Sequence, residues 1–125
     1  MEVVARAVVV RDGSVLLVQD VGASYWYFPG GHVEDGETPA QALVRELREE
    51  LDVGATLGEH LATFTNRFVE DGVEHDEVDH VFAATIDADD PVSAEPALVA
   101  GWHRLADLDS VDVRPRVLAE LVISR

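Results

Sequence analysis

A glycine-rich loop followed by an acid-bearing helix is the segment around which the rest of this chain can be organised. Residues 30–37 read Gly-Gly-His-Val-Glu-Asp-Gly-Glu and lead into Thr38 and Pro39. Thr38 is a favourable N-cap, proline is tolerated in the first helical turn, and Gln41 completes the Thr-x-x-Gln pattern of a capping box. The sequence therefore predicts a helix that begins at Pro39.

The apolar residues of this predicted helix share one face. At about 100° per residue, a core-facing helix needs an apolar stripe roughly 100° wide. Five residues fall within such a stripe and are predicted to be buried: Ala40, Leu43, Val44, Leu47 and Leu51. Arg48 points away from the stripe, so the opposite side of the helix is predicted to face solvent.

Three carboxylates occupy the strip beside the apolar face, because Glu46, Glu49 and Glu50 stand at positions i, i+3 and i+4. Like charges at this spacing raise one another's pKa unless a cation neutralises them. Mg²⁺ or Mn²⁺ would do so, since both prefer oxygen ligands and Mg²⁺ commonly takes substrate phosphates as further ligands. A solvated charged face is the alternative. The adjoining glycine pair favours an ion and phosphate site, because glycine lets backbone atoms approach a ligand closely.

The segment from residue 31 to residue 53 resembles a known signature. It reads Gly31-x5-Glu37-x7-Arg45-Glu46-Leu47-x-Glu49-Glu50-x-Asp52-Val53 and is similar, over 23 residues, to the signature of the Nudix hydrolases. Residues 26–31 and Glu34 also look like the MutT-type members. The one departure is Asp52, where the family has glycine at the helix end. Aspartate adopts the left-handed conformation more readily than most residues, so we expect a slightly different helix end and retained chemistry.

The resemblance implies an α/β fold in one domain over residues 1–125, an α/β/α sandwich on a mixed β-sheet with the acidic helix after the Gly-Gly loop. It implies an enzyme that uses Mg²⁺ or Mn²⁺ to hydrolyse a diphosphate linkage in a nucleoside diphosphate derivative, with water attacking phosphorus. A nucleoside triphosphate, a nucleotide sugar and a dinucleoside polyphosphate all remain open as substrate. The alternative is a sensor that binds nucleotide or metal on the same fold without turnover.

The roles of individual residues follow from the same resemblance. The implied metal ligands are Glu46, Glu49, Glu50, the Gly30 carbonyl and, as an outer ligand, Glu34. The implied catalytic residues are Glu49 and Glu46, of which Glu46 is a metal ligand or the general base. Arg45 and Glu37 belong to the same group and brace the loop. Rivals for the general base lie further along the chain: Glu70, Glu74, Asp76 and Glu77. Glu95 is the nearest candidate for a further acidic ligand that MutT-like relatives carry just before a tryptophan matching Trp102.

Substrate contacts are predicted around the aromatic run of residues 25–28, which strand alternation divides between two faces. Candidates for stacking on a base are Tyr25, Trp26 and Tyr27, and a purely structural role is open for each. Gly31, His32 and Arg67 are further candidate substrate contacts. Arginines can also pair with phosphates, and the candidates for that role are Arg6, Arg67 and Arg104.

The remaining segments predict strands and a final helix. Residues 3–10 and 15–18 read as the two arms of a hairpin, and residues 54–65, 78–86 and 102–105 read as strands. Residues 66–79 read as a polar, acidic loop. A C-terminal helix is predicted over residues 113–123, with four residues facing the core: Val117, Leu118, Leu121 and Val122.

Composition limits the kinds of partner. The chain has 125 residues and a formal net charge of −16, with 25 acidic residues against 9 arginines and no lysine, so binding of a nucleic acid polymer through a basic surface is disfavoured. A small nucleotide, entering with its metal ion, is the expected partner. No segment reaches membrane-spanning length. The absence of cysteine is compatible with a reducing cytoplasm, where we expect the protein. A homodimer is possible, although no motif specifies one.

Overall fold

The helix predicted after Thr38 is present in the computed structural model as α1 (Pro39–Leu51). The Thr38 hydroxyl accepts a hydrogen bond from the Gln41 backbone N–H at 3.1 Å, and the Gln41 side-chain oxygen accepts one from the Thr38 backbone N–H at 3.0 Å. Asp52 caps the other end in the left-handed conformation, with φ 52° and ψ 44°. The predictions for both ends of the helix are therefore confirmed.

The buried face of α1 is rotated from the predicted stripe. Leu43, Leu47 and Leu51 are buried as expected. Val44 is 40% exposed and Ala40 is only partly buried, so their placement in the core was wrong. Their places are taken by Ala42 and by the carboxylate-bearing Glu50. The acidic side of α1 is therefore turned partly into the protein.

The structure describes residues 1–124. Besides α1, these residues form a second helix, α2 (Arg116–Ile123), a 3₁₀ helix (Leu105–Ser110) and a set of strands. The strands are β1 (Glu2–Val8), β2 (Val10–Arg11), β3 (Ser14–Asp20), β4 (Trp26–Tyr27), β5 (Gly30–His32), β6 (Ala55–Glu70), β7 (Val73–Ile86), β8 (Leu98–Arg104) and β9 (Val113–Arg114).

The strands divide between two mixed sheets, where the sequence had predicted one. The first has the order β5-β1-β7-β6, in which β1 runs parallel to β7 and antiparallel to β5. The second has the order β2-β3-β4-β9, and β8 also pairs with β3. Alternation along the strands gives each sheet two apolar faces, because successive side chains point to opposite sides.

The two helices cover opposite faces of these sheets. Leu43 and Leu47 of α1 pack in one core cluster with Leu16 and Val18 of β3. The alternate β3 residues Val15 and Leu17 pack in the other cluster, which holds the buried residues of α2: Leu118, Ala119 and Val122. The predicted α/β/α layering is therefore confirmed.

Three segments differ from the sequence prediction. The first hairpin is shorter than predicted, since Val10–Arg11 pairs with β3 while residues 2–8 form β1 in the other sheet. Residues 66–79 are not a loop, because β6 and β7 continue through them to a tight turn at Asp71 and Gly72. The last helix begins only at residue 116, and Val117 is 54% exposed, so its predicted place in the core was wrong.

Candidate active site

Arg45 of α1 holds the glycine-rich loop against the acidic face of its own helix. Its Nε and Nη2 donate to the two carboxylate oxygens of Glu37 at 2.8 and 3.0 Å, and Nη2 also donates to the His32 carbonyl at 3.0 Å. Its Nη1 donates to Glu46 at 3.1 Å and to Glu49 at 3.2 Å. The guanidinium holds the pKa of Glu37 below its usual range. One planar cation thus fixes the loop and two of the three helix carboxylates.

Two of the three glycines of the loop, Gly30 and Gly31, lie close to other atoms of the protein. Gly30 has φ +145°, and a Cβ there would collide with the Ala5 carbonyl oxygen and lie 2.9 Å from Arg6 Cα. A Cβ on Gly31 would lie 2.5 Å from the carboxylate carbon of Glu46. The Gly30 N–H donates to Glu50 Oε1 at 3.3 Å. Gly30 thus lets strand β5 lie close to β1, and Gly31 lets it approach the Glu46 carboxylate.

We expect Gly30→Ala to lower the free energy of unfolding by about 3 kcal/mol or more, since it combines an unfavourable φ with a backbone collision. Gly36→Ala is the matched control. Its φ is +86° with open space around the Cβ position, so only the conformational cost of about 1 kcal/mol remains. Urea unfolding of both variants measures the difference. Equal losses would contradict this explanation of the loop.

Two helix carboxyl groups lie in surroundings that disfavour their charge. Glu50 is only 8% exposed, and burial, followed by repulsion from Glu46, raises its pKa to about 8. Burial also raises the pKa of Glu46, against the opposing effect of Arg45. The basic side chains of the protein therefore do not fully neutralise the negative charge of Glu46 and Glu50.

The donor chemistry of this group suits a divalent metal ion. Carboxylate and carbonyl oxygens are the ligands that Mg²⁺ and Mn²⁺ prefer, and a cation beside Glu46 and Glu50 would supply the missing charge. Among residues 1–124, no three His, Asp or Glu side chains converge closely enough to hold an ion as they stand. Arg45 Nη1 binds one oxygen each of Glu46 and Glu49, so a metal ion would share these two carboxylates with the guanidinium.

Glu95 lies near the same carboxylates although it is distant in sequence. The Ala94 N–H donates to the Glu50 backbone carbonyl at 2.8 Å, which fixes this segment against the end of α1. The negative charge of Glu95 raises the pKa of both Glu46 and Glu50. The structure thus brings the candidate fourth carboxylate into electrostatic reach of the site.

A cavity of about 750 Å³ opens beside Arg6 and Tyr27. Its walls combine aromatic rings, three arginines and three carboxylates from widely separated parts of the sequence. The rings are Tyr25, Tyr27 and Phe68, the arginines are Arg6, Arg114 and Arg116, the carboxylates are Asp20, Glu70 and Asp112, and Asn66 adds an amide. Arg6 in the cavity wall stands opposite Gly30 in the β1–β5 ladder, and the Gly30 N–H donates to Glu50, so this strand pair links the cavity to the acidic site.

The predicted substrate contacts are distributed unevenly. Tyr25 and Tyr27 line the cavity, and Gly31 faces Glu46. The other three candidates are not in the cavity wall of the described chain. Trp26 packs against His103 with ring centroids 4.3 Å apart, His32 Nε2 lies 2.8 Å from Glu2 Oε1, and Arg67 pairs with Asp76 at 3.4 Å.

The rival general bases and the outer ligand have other partners. Glu70 accepts a hydrogen bond from the Tyr25 hydroxyl at 3.0 Å, and Glu77 is 3% exposed and pairs with Arg6 at 3.4 Å. Glu74 is exposed on β7. Glu34 lies 3.8 Å from Arg45 Nη1, at the rim of the guanidinium network.

Fold and site together define an α/β protein that arranges carboxylates and a glycine loop beside a nucleotide-sized cavity. The chain belongs to the Nudix family, because a family model described as NUDIX domain matches residues 1–121. It is 31% identical to the MutT NUDIX hydrolase from Burkholderia pseudomallei, with a TM-score of 0.78 and 97% of each chain covered.

Curated relatives match over shorter segments. The chain is 52% identical over 67 residues to the CTP pyrophosphohydrolase of Escherichia coli (strain K12), which is 50% of this chain and 49% of that protein. It is 50% identical over 44 residues to the 8-oxo-dGTP diphosphatase of Proteus vulgaris, 35% of this chain and 39% of that protein. The matched segments thus span about half or less of these relatives. In the described residues, no helix is long and apolar enough to cross a membrane.

Proposed function

We propose that this protein hydrolyses a diphosphate linkage in a nucleoside triphosphate, with Mg²⁺ or Mn²⁺ as its cofactor. The observation that carries the proposal is the pair of under-compensated carboxylates, Glu46 and Glu50, which lie against the Gly30–Gly31 pair. A nucleotide-sized cavity is close by, since its wall contains Arg6, the partner of Gly30 in the β1–β5 ladder. The relatives named for CTP and 8-oxo-dGTP favour a triphosphate over the other two substrate classes. A small nucleotide is the partner, and the cytoplasm, with its nucleotide pool, is the expected location.

Glu46, Glu49 and Glu50 would hold the metal ion, with the Gly30 carbonyl as a further ligand and Glu34 and Glu95 at the periphery. When bound, the ion would neutralise the negative charge that develops on the phosphate oxygens and lower the pKa of a nearby water.

The protein's own groups supply positioning and proton transfer. Arg45 and Glu37 hold the loop and the helix carboxylates in fixed positions relative to each other. Glu46, whose pKa is already raised by burial, would accept the proton of the water that attacks phosphorus. The bond between that phosphorus and its bridging oxygen breaks, and the leaving phosphate departs with the electron pair.

The cavity would hold the nucleoside. Its volume of about 750 Å³ lies within the range of small-molecule sites. Tyr25, Tyr27 and Phe68 provide aromatic surface in its wall, and stacking on such rings does not require a particular base. The nucleoside would thus be held by its ring, with its phosphates directed toward α1.

The test is release of phosphate or diphosphate from a panel of nucleoside triphosphates, ADP-ribose and diadenosine polyphosphates with Mg²⁺ or Mn²⁺. We expect turnover of a triphosphate, loss of activity with a chelator, and a kcat/KM about tenfold lower for Glu49→Gln, because an exposed ligand is the easiest for water to replace. Arg48→Lys, on the solvent face of the same helix, is the matched control. Tight nucleotide binding without turnover across the panel would favour the sensor instead.

A further inference from the structure

A buried cluster of charged side chains lies under the cavity, outside the acidic site. Asp79 and Glu77 of β7 are 0% and 3% exposed. Arg6 of β1 donates from Nε to Asp79 at 3.1 Å, from Nη2 to Glu77 at 3.4 Å and from Nη1 to the Phe28 carbonyl at 3.1 Å. Asn66 donates to the same Glu77 oxygen at 3.3 Å. Two carboxylates of β7 and the residue before Pro29 thus bind one guanidinium, and Asn66 of β6 joins the cluster through Glu77.

This cluster is costly for a fold to maintain. Burying charged groups removes their hydration, and an ion pair recovers that loss only when its geometry and hydrogen bonding are complete. Asp79 Oδ1 is the one buried side-chain oxygen or nitrogen in residues 1–124 without a hydrogen-bond partner, and burial raises the pKa of Asp79. An apolar core of the same shape would avoid these costs, so the cluster points to a role other than stability.

Arg6 has donors left over, and its side chain is part of the cavity wall. A guanidinium carries five N–H groups, of which the three acceptors Asp79, Glu77 and the Phe28 carbonyl engage one each on Nε, Nη2 and Nη1. One N–H on each terminal nitrogen remains, and Arg6 is part of the cavity wall. Two N–H groups on one planar fork match two oxygens of a phosphate group.

Arg6 lies between the cavity and the acidic site. It lines the cavity together with Tyr27, and it stands opposite Gly30, whose N–H donates to Glu50. The side chains of the other two arginines of the cavity are more exposed, 55% for Arg114 and 45% for Arg116 against 15% for Arg6. Arg114 binds Asp112 through two contacts and lies 4.1 Å from the centre of the Tyr25 ring, and Arg116 binds Asp109.

We propose that Arg6 binds the phosphate attached to the nucleoside, and that Asp79 and Glu77 are positioning residues that orient its free N–H groups toward it. The inference rests on the proposed function, since it assumes that the cavity holds a nucleotide. In a chain with a net charge of −16, a cation fixed between the cavity and the acidic helix gives an anionic substrate a local point of attraction.

The experiment compares binding of cytidine and cytidine 5′-monophosphate by calorimetry with a chelator present, so that metal plays no part. We expect the wild-type protein to bind the monophosphate about tenfold or more tightly than the nucleoside, as charge-assisted hydrogen bonds to phosphate would provide. In Arg6→Lys this ratio should fall to about one. An ammonium has three N–H donors, which the three buried acceptors consume.

Arg104→Lys is the matched control, because it changes an exposed arginine that is not in the cavity wall and should keep the wild-type ratio. Glu77→Gln is a second variant that retains side-chain shape and loosens only one contact to Arg6, so we expect an intermediate ratio. It also keeps the inference testable if Arg6→Lys does not fold, which a melting curve will show.

Several outcomes would overturn the inference. Equal weakening of cytidine and its monophosphate in Arg6→Lys would place Arg6 on the base or the ribose. An unchanged ratio in both Arg6→Lys and Glu77→Gln would show that Arg6 does not contact the phosphate. A wild-type protein that turns over nucleotides but does not prefer the monophosphate would overturn this inference alone, whereas one that neither binds nor hydrolyses them would overturn the proposed function as well.

Discussion

Glu50→Gln is expected to lower kcat/KM by about a thousandfold while leaving the fold intact, since a lost metal contact is worth several kcal/mol of transition-state stabilisation. Glu50 is the most buried of the three helix carboxylates, so water cannot easily take its place. Glutamine has the same shape, and its side-chain oxygen can still accept the hydrogen bond that Gly30 donates to Glu50 at 3.3 Å. Steady-state kinetics with saturating Mg²⁺ measures the loss.

The same substitution is expected to stabilise the metal-free protein, and increasingly so as pH rises. Burial in the folded chain raises the pKa of Glu50 from its ordinary value of 4.5 to about 8. Between these two values the folded state retains a proton that the unfolded state has lost, so the wild-type free energy of unfolding falls with rising pH. Glutamine does not titrate. The melting temperature of the variant, relative to that of the wild type, should therefore rise as the pH increases from about 5 to 8.

Added Mg²⁺ should reverse this relation, because an ion bound to the ionised wild-type carboxylate stabilises the folded state. Glu120→Gln, on the exposed side of α2, is the control for removing a carboxylate and should show neither effect. A Glu50→Gln protein with wild-type activity would contradict the assignment of Glu50 as a ligand. A difference in melting temperature that does not change with pH would contradict its buried, proton-retaining state.

The local sequence was sufficient to predict α1 and its surroundings. Thr38 and Gln41 form the predicted capping box, Asp52 takes the predicted left-handed cap, and Glu37 reaches Arg45 across the helix start. Each of these contacts joins residues at most eight apart in sequence, so the chain's own stereochemistry determines it. Whether these residues carry out the proposed chemistry stays a prediction.

The long β6–β7 hairpin was missed because its composition is typical of a loop. Acidic residues are depleted in strands, and residues 66–79 contain many of them. Pairing along the whole length of the two strands outweighs that weak local preference. The sequence nevertheless contained a signal for the hairpin, because an Asp-Gly pair between two strand-forming segments favours a two-residue hairpin turn. Asp71 and Gly72 adopt the required positive φ values of 52° and 77°.

The cavity could not be read from the sequence because its wall is assembled from distant segments. Arg6 of β1, Phe68 of β6 and Arg114 of β9 meet only after the two sheets have formed. The buried pairing of Arg6 with Asp79 spans 73 residues. No local pattern distinguishes Arg6 from the other arginines that the sequence offers as phosphate partners. Burial and the identity of its acceptors provide that distinction.

The Arg45–Glu37 pair is expected to act as one unit. Arg45→Lys and Glu37→Gln should each lower kcat/KM by about tenfold to a hundredfold, the usual range when a residue that orients metal ligands is lost. Lysine cannot reproduce the planar fork that binds both Glu37 oxygens, the His32 carbonyl and the helix carboxylates at once. Glutamine removes the charge that holds the fork in place.

The double variant decides between a shared and a separate role. If both residues act only by holding the loop against α1, Arg45→Lys with Glu37→Gln should lose little more than the worse single variant, because one contact cannot be lost twice. Steady-state kinetics of the four proteins gives the coupling, with Arg48→Lys as a control for changing an arginine of the same helix. Losses that simply multiply would mean that Arg45 and Glu37 contribute independently, for example through direct contact of Arg45 with the substrate.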